Sequence, residues 1–358
     1  MRNFLCKLLA FFIPILMISI FEAFILPPNL FTFRSWEALS FTIVPSLIAQ
    51  SSFYPNFTLT MKEEGDLADH TKKSFAKKTI WITDQLGYRN DKFINDPDIL
   101  LIGDSFFAGS GLSQSETITN KLSSKLRNKA SVYSIATGSL NEFDVLYRNG
   151  VIKKPKLIIF ESAERNNICF SPFSRPGSIK EKVFILKRQI PSYIHDILIK
   201  ADRMLRFYSI RWIMSRDKSL NAGLIRPNIS PIDPKMIFLK GKSVTFHSDK
   251  ELKESFNSIM SYKKYCDSLG VDFLFVSMPD KETVYFDLVP LDTQPDYLFK
   301  LDSLLNINGV STINTLGIYN KERQGKNILL YHYDDTHWNS TATELIANEI
   351  INKEQLTE

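Results

Sequence analysis

The stretch Tyr331-His332-Tyr333-Asp334-Asp335-Thr336-His337-Trp338-Asn339 sets two carboxylates between two histidines, in a chain with five His in all. A histidine with a carboxylate two or three positions away is the base half of a proton-transfer pair, because the acid fixes the ring tautomer and stabilises the imidazolium. His337 is the base on this reading, and Asp335 or Asp334 is its acid. Residues two apart face the same way in extended backbone, which favours Asp335. The group such a base would serve stands far upstream, where the apolar run Ile99–Ile102 enters Gly103-Asp104-Ser105-Phe106. A serine at the carboxyl end of a strand sits where α/β sheets bind ligands, and it attacks an acyl carbon once its proton is taken. Plainer readings exist for both motifs. G-D-S is a common tight turn, and Asp, Thr, Asn and Ser ahead of a helical run are capping residues. A D-x-H pair also ligates metals, but no third ligand with suitable spacing accompanies it, and no cofactor motif is present.

The elements that must position these residues are visible as five short runs: DILLIG (98–103), SVYSIAT (131–137), KLIIFES (156–162), VDFLFVS (271–277) and VSTINT (310–315). Four are followed by helix-compatible stretches, so the pattern predicts βαβ units and a parallel sheet covered on both faces, a doubly wound α/β fold. Ser340–Asn352 predicts a C-terminal helix, which puts His337 in the loop entering it.

Ahead of this body, Phe4–Leu26 is apolar except for Lys7, Ser19 and Glu22, with Arg2 and Lys7 on the leading side. With no small-x-small cleavage site after it, residues 1–26 read as an uncleaved transmembrane anchor with the body outside the cytoplasm, the alternative being a cleaved signal peptide. Residues 27–95 open on Pro27-Pro28 and show no clear period, so they read as a stalk and lead-in segment; 96–358 is the α/β body. Of the cysteines, Cys169 and Cys266 remain for that body, and they fit one disulfide or two buried thiols. An insertion at about 171–250 interrupts the sheet. Within it, 180–218 carries ten Lys or Arg against four acidic residues, a net of +6 beside +5 for the whole chain. Its apolar residues recur near helical spacing, predicting amphipathic helices with a basic face, solvated or turned to a membrane, an anionic glycan or a partner protein. No nucleic-acid motif accompanies it.

Several of these stretches together resemble the SGNH hydrolase superfamily, and within it the membrane-associated branch typified by alginate O-acetyltransferases. GDSF (103–106) resembles the superfamily's first block, and DTHWN (335–339) the branch's D-x-H-W motif. Glu164-Arg165 in IIFESAERN is similar to its E-R pair, and MPDKETVYFDLVP to its Pro-x-Lys-x-x-x-Tyr segment; DQLGYRND (84–91) looks like the lead-in to its first strand. The resemblance implies a flavodoxin-like SGNH fold, with Ser105 as nucleophile, His337 as base and Asp335 as acid. It also implies Gly138 as an oxyanion donor, Asn166 as an offset match to the oxyanion asparagine, and Arg165, Lys281 and Tyr285 near the substrate. In the alginate enzymes D-x-H-W precedes GDSF; here it follows.

The function so implied is an extracytoplasmic, membrane-tethered serine O-acyltransferase, an O-acetyltransferase by the resemblance, acting on a cell-surface or secreted polysaccharide. A multispanning membrane acyltransferase would supply its acyl donor, since acetyl-CoA is cytoplasmic. The rival readings are an esterase that removes acyl groups with the same triad, and a non-catalytic glycan-binding or assembly protein on the same scaffold.

Overall fold

In the computed structural model, the described residues are 2–41, 52–68, 73–127, 129–169, 172–175, 192–209, 228–239, 247–289, 291–324 and 328–356, with a few single positions besides. All five predicted strands form. After an antiparallel hairpin, β1 (Thr58–Glu63) with β2 (Lys77–Ile82), come β3 (Ile99–Ile102), β4 (Val132–Ser134) and β5 (Leu157–Ala163). The short antiparallel pair β6 (Asn228–Ile229) and β7 (Ile237–Phe238) precedes β8 (Asp272–Met278) and β9 (Ser311–Asn314). The parallel sheet has the order β4-β3-β5-β8-β9. Numbered among themselves these strands run 2-1-3-4-5, the flavodoxin-like order, whose switch point lies beside the first strand. β3, β4 and β5 are buried along their whole length, as strands covered on both faces must be.

The covering helices are locally specified. Helix Asp249–Leu269 starts at Ser248, whose side chain makes a capping box with Glu251, and stops at Gly270 in the left-handed region (φ 63°). Helix Ser340–Lys353 is capped by Asn339, whose side-chain oxygen accepts the N–H groups of Thr341 and Ala342. It packs against helix Ile118–Lys125, while Asp249–Leu269 packs against Tyr297–Ile307.

The segment 27–95, expected as a stalk and lead-in, instead builds a second small core. Ala38, Leu39, Phe53, Tyr54, Leu59, Met61 and Trp81 are buried together between β1, β2 and helix Ser35–Leu39. The sequence shows no clean alternation because inward positions carry polar residues that satisfy one another: Ser35 Oγ and Thr79 Oγ1 both donate to Glu63 Oε2 at 2.9 Å. The DQLGYRND stretch then ties this hairpin to the main sheet. Asp84 accepts the Tyr133 hydroxyl at 2.6 Å and the Asn90 amide at 2.8 Å. The buried Arg89 guanidinium, stacked 3.7 Å over Trp81, donates to the carbonyls of Ile80, Ala108, Gly109 and Leu112.

Helix Arg2–Phe24 is long and apolar enough to cross a bilayer over Cys6–Phe24. The described part of the basic insertion includes one amphipathic helix, Ser192–Arg206, which packs along it. Arg203 donates to the Glu22 and Leu26 carbonyls, and Lys200 sits 5.0 Å over the Phe24 ring. The rest of the predicted amphipathic stretch lies largely outside the described residues. Cys266 is a buried free thiol; the Cys169 side chain is outside the described set.

Candidate active site

β3 delivers its last apolar residue, Ile102, to Gly103, where the backbone runs so close to β5 that a Cβ would lie 2.4 Å from Glu161 Oε2. The Asp104 N–H donates to that oxygen at 2.9 Å. The Asp104 carboxylate accepts the Phe106 N–H at 2.9 Å, the Ala163 N–H at 3.3 Å and the Asn166 amide at 2.7 Å. Asp104 thereby staples the turn to the end of β5 and leaves Ser105 facing the crevice at the switch point. Burial first, and then the Asp104 charge, push the Glu161 carboxyl well above its ordinary range.

From the other side the loop before helix Ser340–Lys353 brings in His337. His337 Nε2 is 2.7 Å from Ser105 Oγ, and His337 Nδ1 is 2.6 Å from Asp335 Oδ1, which also accepts the His337 N–H at 3.0 Å. Burial alone would raise the Asp335 carboxyl, but contact with His337, helped by Lys77 and Arg34, holds it well below its usual value. A Tyr331–Trp338 bridge closes the loop, and Trp338 is buried against Phe106 and Phe107.

Asp334, the alternative acid, faces away from the ring: its Oδ2 accepts the N–H groups of Gly65 at 3.1 Å and Phe75 at 2.8 Å. The closest backbone approach in the site is here, since a Cβ on Gly65 would sit 2.0 Å from the Asp334 carbonyl oxygen. Gly65→Ala should therefore push the loop off its seat. Overpacking of this kind costs about 1–3 kcal/mol, seen in urea denaturation, together with slower reaction of Ser105. An unchanged midpoint and rate would show that the loop has room to move.

Two of the five expected substrate contacts, Lys281 and Tyr285, are buried under the loop. The E-R and P-x-K residues form a buttress beneath the triad. Glu164 accepts the Asp280 N–H at 3.0 Å and the Thr283 hydroxyl at 2.7 Å, and Arg165 pairs with Asp280 at 2.6 Å. Lys281 was expected at the substrate, but it is fully buried and its Nζ donates to the carbonyls of Ile237, His332, Tyr333 and Asp335. Tyr285 is likewise buried, its hydroxyl accepting the Leu330 N–H at 2.8 Å. A cation and a phenol in a motif read as surface groups; here the loop's backbone covers both. Gly138 and Asn166 do line the cleft beside Ser105, a space of about 410 Å³ that Trp36, Thr137, Phe160 and Tyr262 also border. The Gly138 N–H, however, donates to the Ile135 carbonyl at 2.8 Å within its own turn. The Ser105 N–H has no acceptor among the described residues, which leaves it for an oxyanion. A larger polar cleft of about 690 Å³ lies at the amino ends of β3 and β4, bordered by Asp98 and Ser131, away from Ser105.

Sequence reasoning missed the groups supplied by the N-terminal segment. The Asp66 carboxylate accepts the Thr336 N–H at 2.7 Å and the Thr336 hydroxyl, and its Oδ2 lies 3.6 Å from His337 Nδ1. Lys77 Nζ is 3.9 Å from Asp335 Oδ2. Nothing local marks Asp66, which sits in a charged stretch with no period. It also adds the third carboxylate or imidazole that the D-x-H pair lacked in sequence, with ligand atoms within 4.8 Å of one another. In the structure these atoms hydrogen-bond to Thr336 and to one another, with Thr336 on Asp66 and His337 on Asp335. His332, the other histidine of the stretch, is buried, and burial pulls it down to about 3, so it stays neutral.

Neither a family model nor a curated protein matches the sequence. Among solved structures the chain is similar to a Bacteroides fragilis protein assigned as an acylhydrolase (12% identity, TM-score 0.34, 73% of this chain and 88% of that one). It is also similar to a catalytic mutant of an acetylxylan esterase from Geobacillus stearothermophilus (9% identity, TM-score 0.36, covering 72% and 93%). Scores of this size leave the functional reading to the side chains.

Proposed function

We propose that the protein is a serine O-acyltransferase, an O-acetyltransferase of polysaccharide, held at a membrane by helix Arg2–Phe24 with its α/β body outside the cytoplasm. The observation that carries the acyl chemistry is the hydrogen-bonded series Ser105–His337–Asp335 at the sheet's switch point. His337 Nε2 takes the Ser105 proton as Oγ bonds to the acyl carbonyl carbon, and Asp335 stabilises the resulting imidazolium. The tetrahedral oxyanion is held by the Ser105 N–H; it collapses as the donor's leaving group departs with the proton from His337. A sugar hydroxyl then gives its proton to His337, attacks the acyl-serine and releases Ser105. The reading of the acceptor as a sugar is supported by Trp36 and Tyr262, which line the same cleft as Ser105, and by the sequence resemblance. The donor would come from a multispanning membrane acyltransferase. Water in place of the sugar makes the same site an esterase.

The test is the full chain in detergent, given a serine-directed fluorophosphonate and, separately, a chromogenic acetyl ester with and without an oligosaccharide acceptor. Ser105→Ala is expected to abolish labelling and to lower ester turnover by at least roughly 10³-fold. Labelling that persists in Ser105→Ala removes the nucleophile. Ester turnover that never acetylates any oligosaccharide, even with a membrane acyltransferase supplied, decides for the esterase.

A further inference from the structure

The back of the triad is built by the N-terminal segment. The turn at Gly65–Leu67 clasps the Asp334–His337 loop: the Asp66 N–H donates to Asp335 Oδ2 at 3.3 Å and the Leu67 N–H to the Asp334 carbonyl at 2.9 Å. The Asp66 carboxylate is fixed from both oxygens by Thr336, and its side chain is 18% exposed. At 3.6 Å from His337 Nδ1 it is too far for a good hydrogen bond but near enough for a strong charge interaction. Two carboxylates so close would repel, and burial and the Asp335 charge do push the Asp66 carboxyl up. The cations that offset them come from three elements: Arg34 ahead of helix Ser35–Leu39, Lys77 on β2, and Lys281 beneath the loop. The other titratable groups facing the pair are Asp334 and the neutral His332.

We propose that Asp66 is a positioning residue of the acylation step: a second carboxylate on the Nδ1 side of His337 that, with Asp335, stabilises the imidazolium formed when Ser105 gives up its proton. This rests on reading Ser105, His337 and Asp335 as the reacting triad. It assigns the N-terminal segment a part in tuning His337, since Asp66 belongs to that segment. The competing account is a clasp, in which Asp66 only holds Thr336 in place.

Asp66→Asn separates the two accounts, because the amide keeps the shape and an acceptor for Thr336 but loses the charge. A base deprived of a nearby anion binds its proton less tightly. The acid limb of the pH profile for fluorophosphonate labelling should therefore move down by about one pH unit, and the plateau rate should fall roughly tenfold. Asp66→Glu, which keeps the charge, should retain the wild-type acid limb, while Thr336→Val should slow labelling with the limb unmoved. Carbon NMR of the histidine rings gives a readout independent of activity: with five His in the chain, His337 is assigned by His337→Gln, and its titration should move to lower pH in Asp66→Asn. A limb and a ring titration that both stay put in folded Asp66→Asn overturn the proposal and leave the clasp. If the wild type itself fails to label at Ser105, the triad reading falls, and the ring titration still decides whether Asp66 acts on His337.

Discussion

Asp335→Asn is expected to slow acylation of Ser105 by roughly 10⁴-fold, the loss seen when a triad carboxylate becomes an amide. Asp335 Oδ1 accepts from both the His337 ring at Nδ1 and the His337 backbone N–H. An amide oriented to donate to Nδ1 drives the ring proton to Nε2, and a protonated Nε2 cannot take the hydroxyl proton of Ser105, whose Oγ is 2.7 Å away. Asp334→Asn should behave differently. Its Oδ2 serves two backbone N–H groups of the N-terminal segment, and an amide oxygen can still accept there. Its cost should be about 1–2 kcal/mol of stability, with the acylation rate within roughly tenfold of wild type. The measurement is the fluorophosphonate labelling rate of the two variants side by side, with urea midpoints for each. If the ranking inverts, Asp334 is the acid and the D-x-H-W likeness has misled.

The parts of this site that are legible in the sequence are those whose signal is local. β3 is buried on both faces and reads as an unbroken apolar run, β5 opens on the apolar Leu157–Phe160, and the turn after β3 is marked by Gly103, since a Cβ there would meet Glu161. Asp335 and His337 needed only a two-residue spacing. The parts that stayed hidden depend on chain segments meeting across some 270 positions. Asp66 looked like one more charge in a solvated stretch, and β1 like noise, because Glu63 stands where an apolar residue would complete the alternation. Lys281 and Tyr285 fall near the triad, as the resemblance implies, yet on the protein side of the loop. A linear motif reports which residues are close to a site, whereas the face they take depends on what covers them.

Lys281→Met tests that reassignment. The substitution keeps the length and apolar stem of the side chain and removes a cation that holds four backbone carbonyls, three of them within residues 332–335. Leaving these acceptors buried without a donor is expected to cost about 3–5 kcal/mol. The loop carrying His337 should loosen with it, so that ester turnover falls in kcat, while a substrate-binding lysine would act mainly through KM. The pH dependence supplies an independent sign. Burial pulls the Lys281 ammonium down to about 8, against roughly 10.4 in an unfolded chain. Between these values the unfolded state binds more protons than the folded one, so this group makes stability rise with pH. The methionine variant lacks that contribution, and the stability gap between it and the wild type should widen from pH 8 to about pH 10.4. A gap that stays constant, with turnover lost through KM, would return Lys281 to the substrate side of the loop.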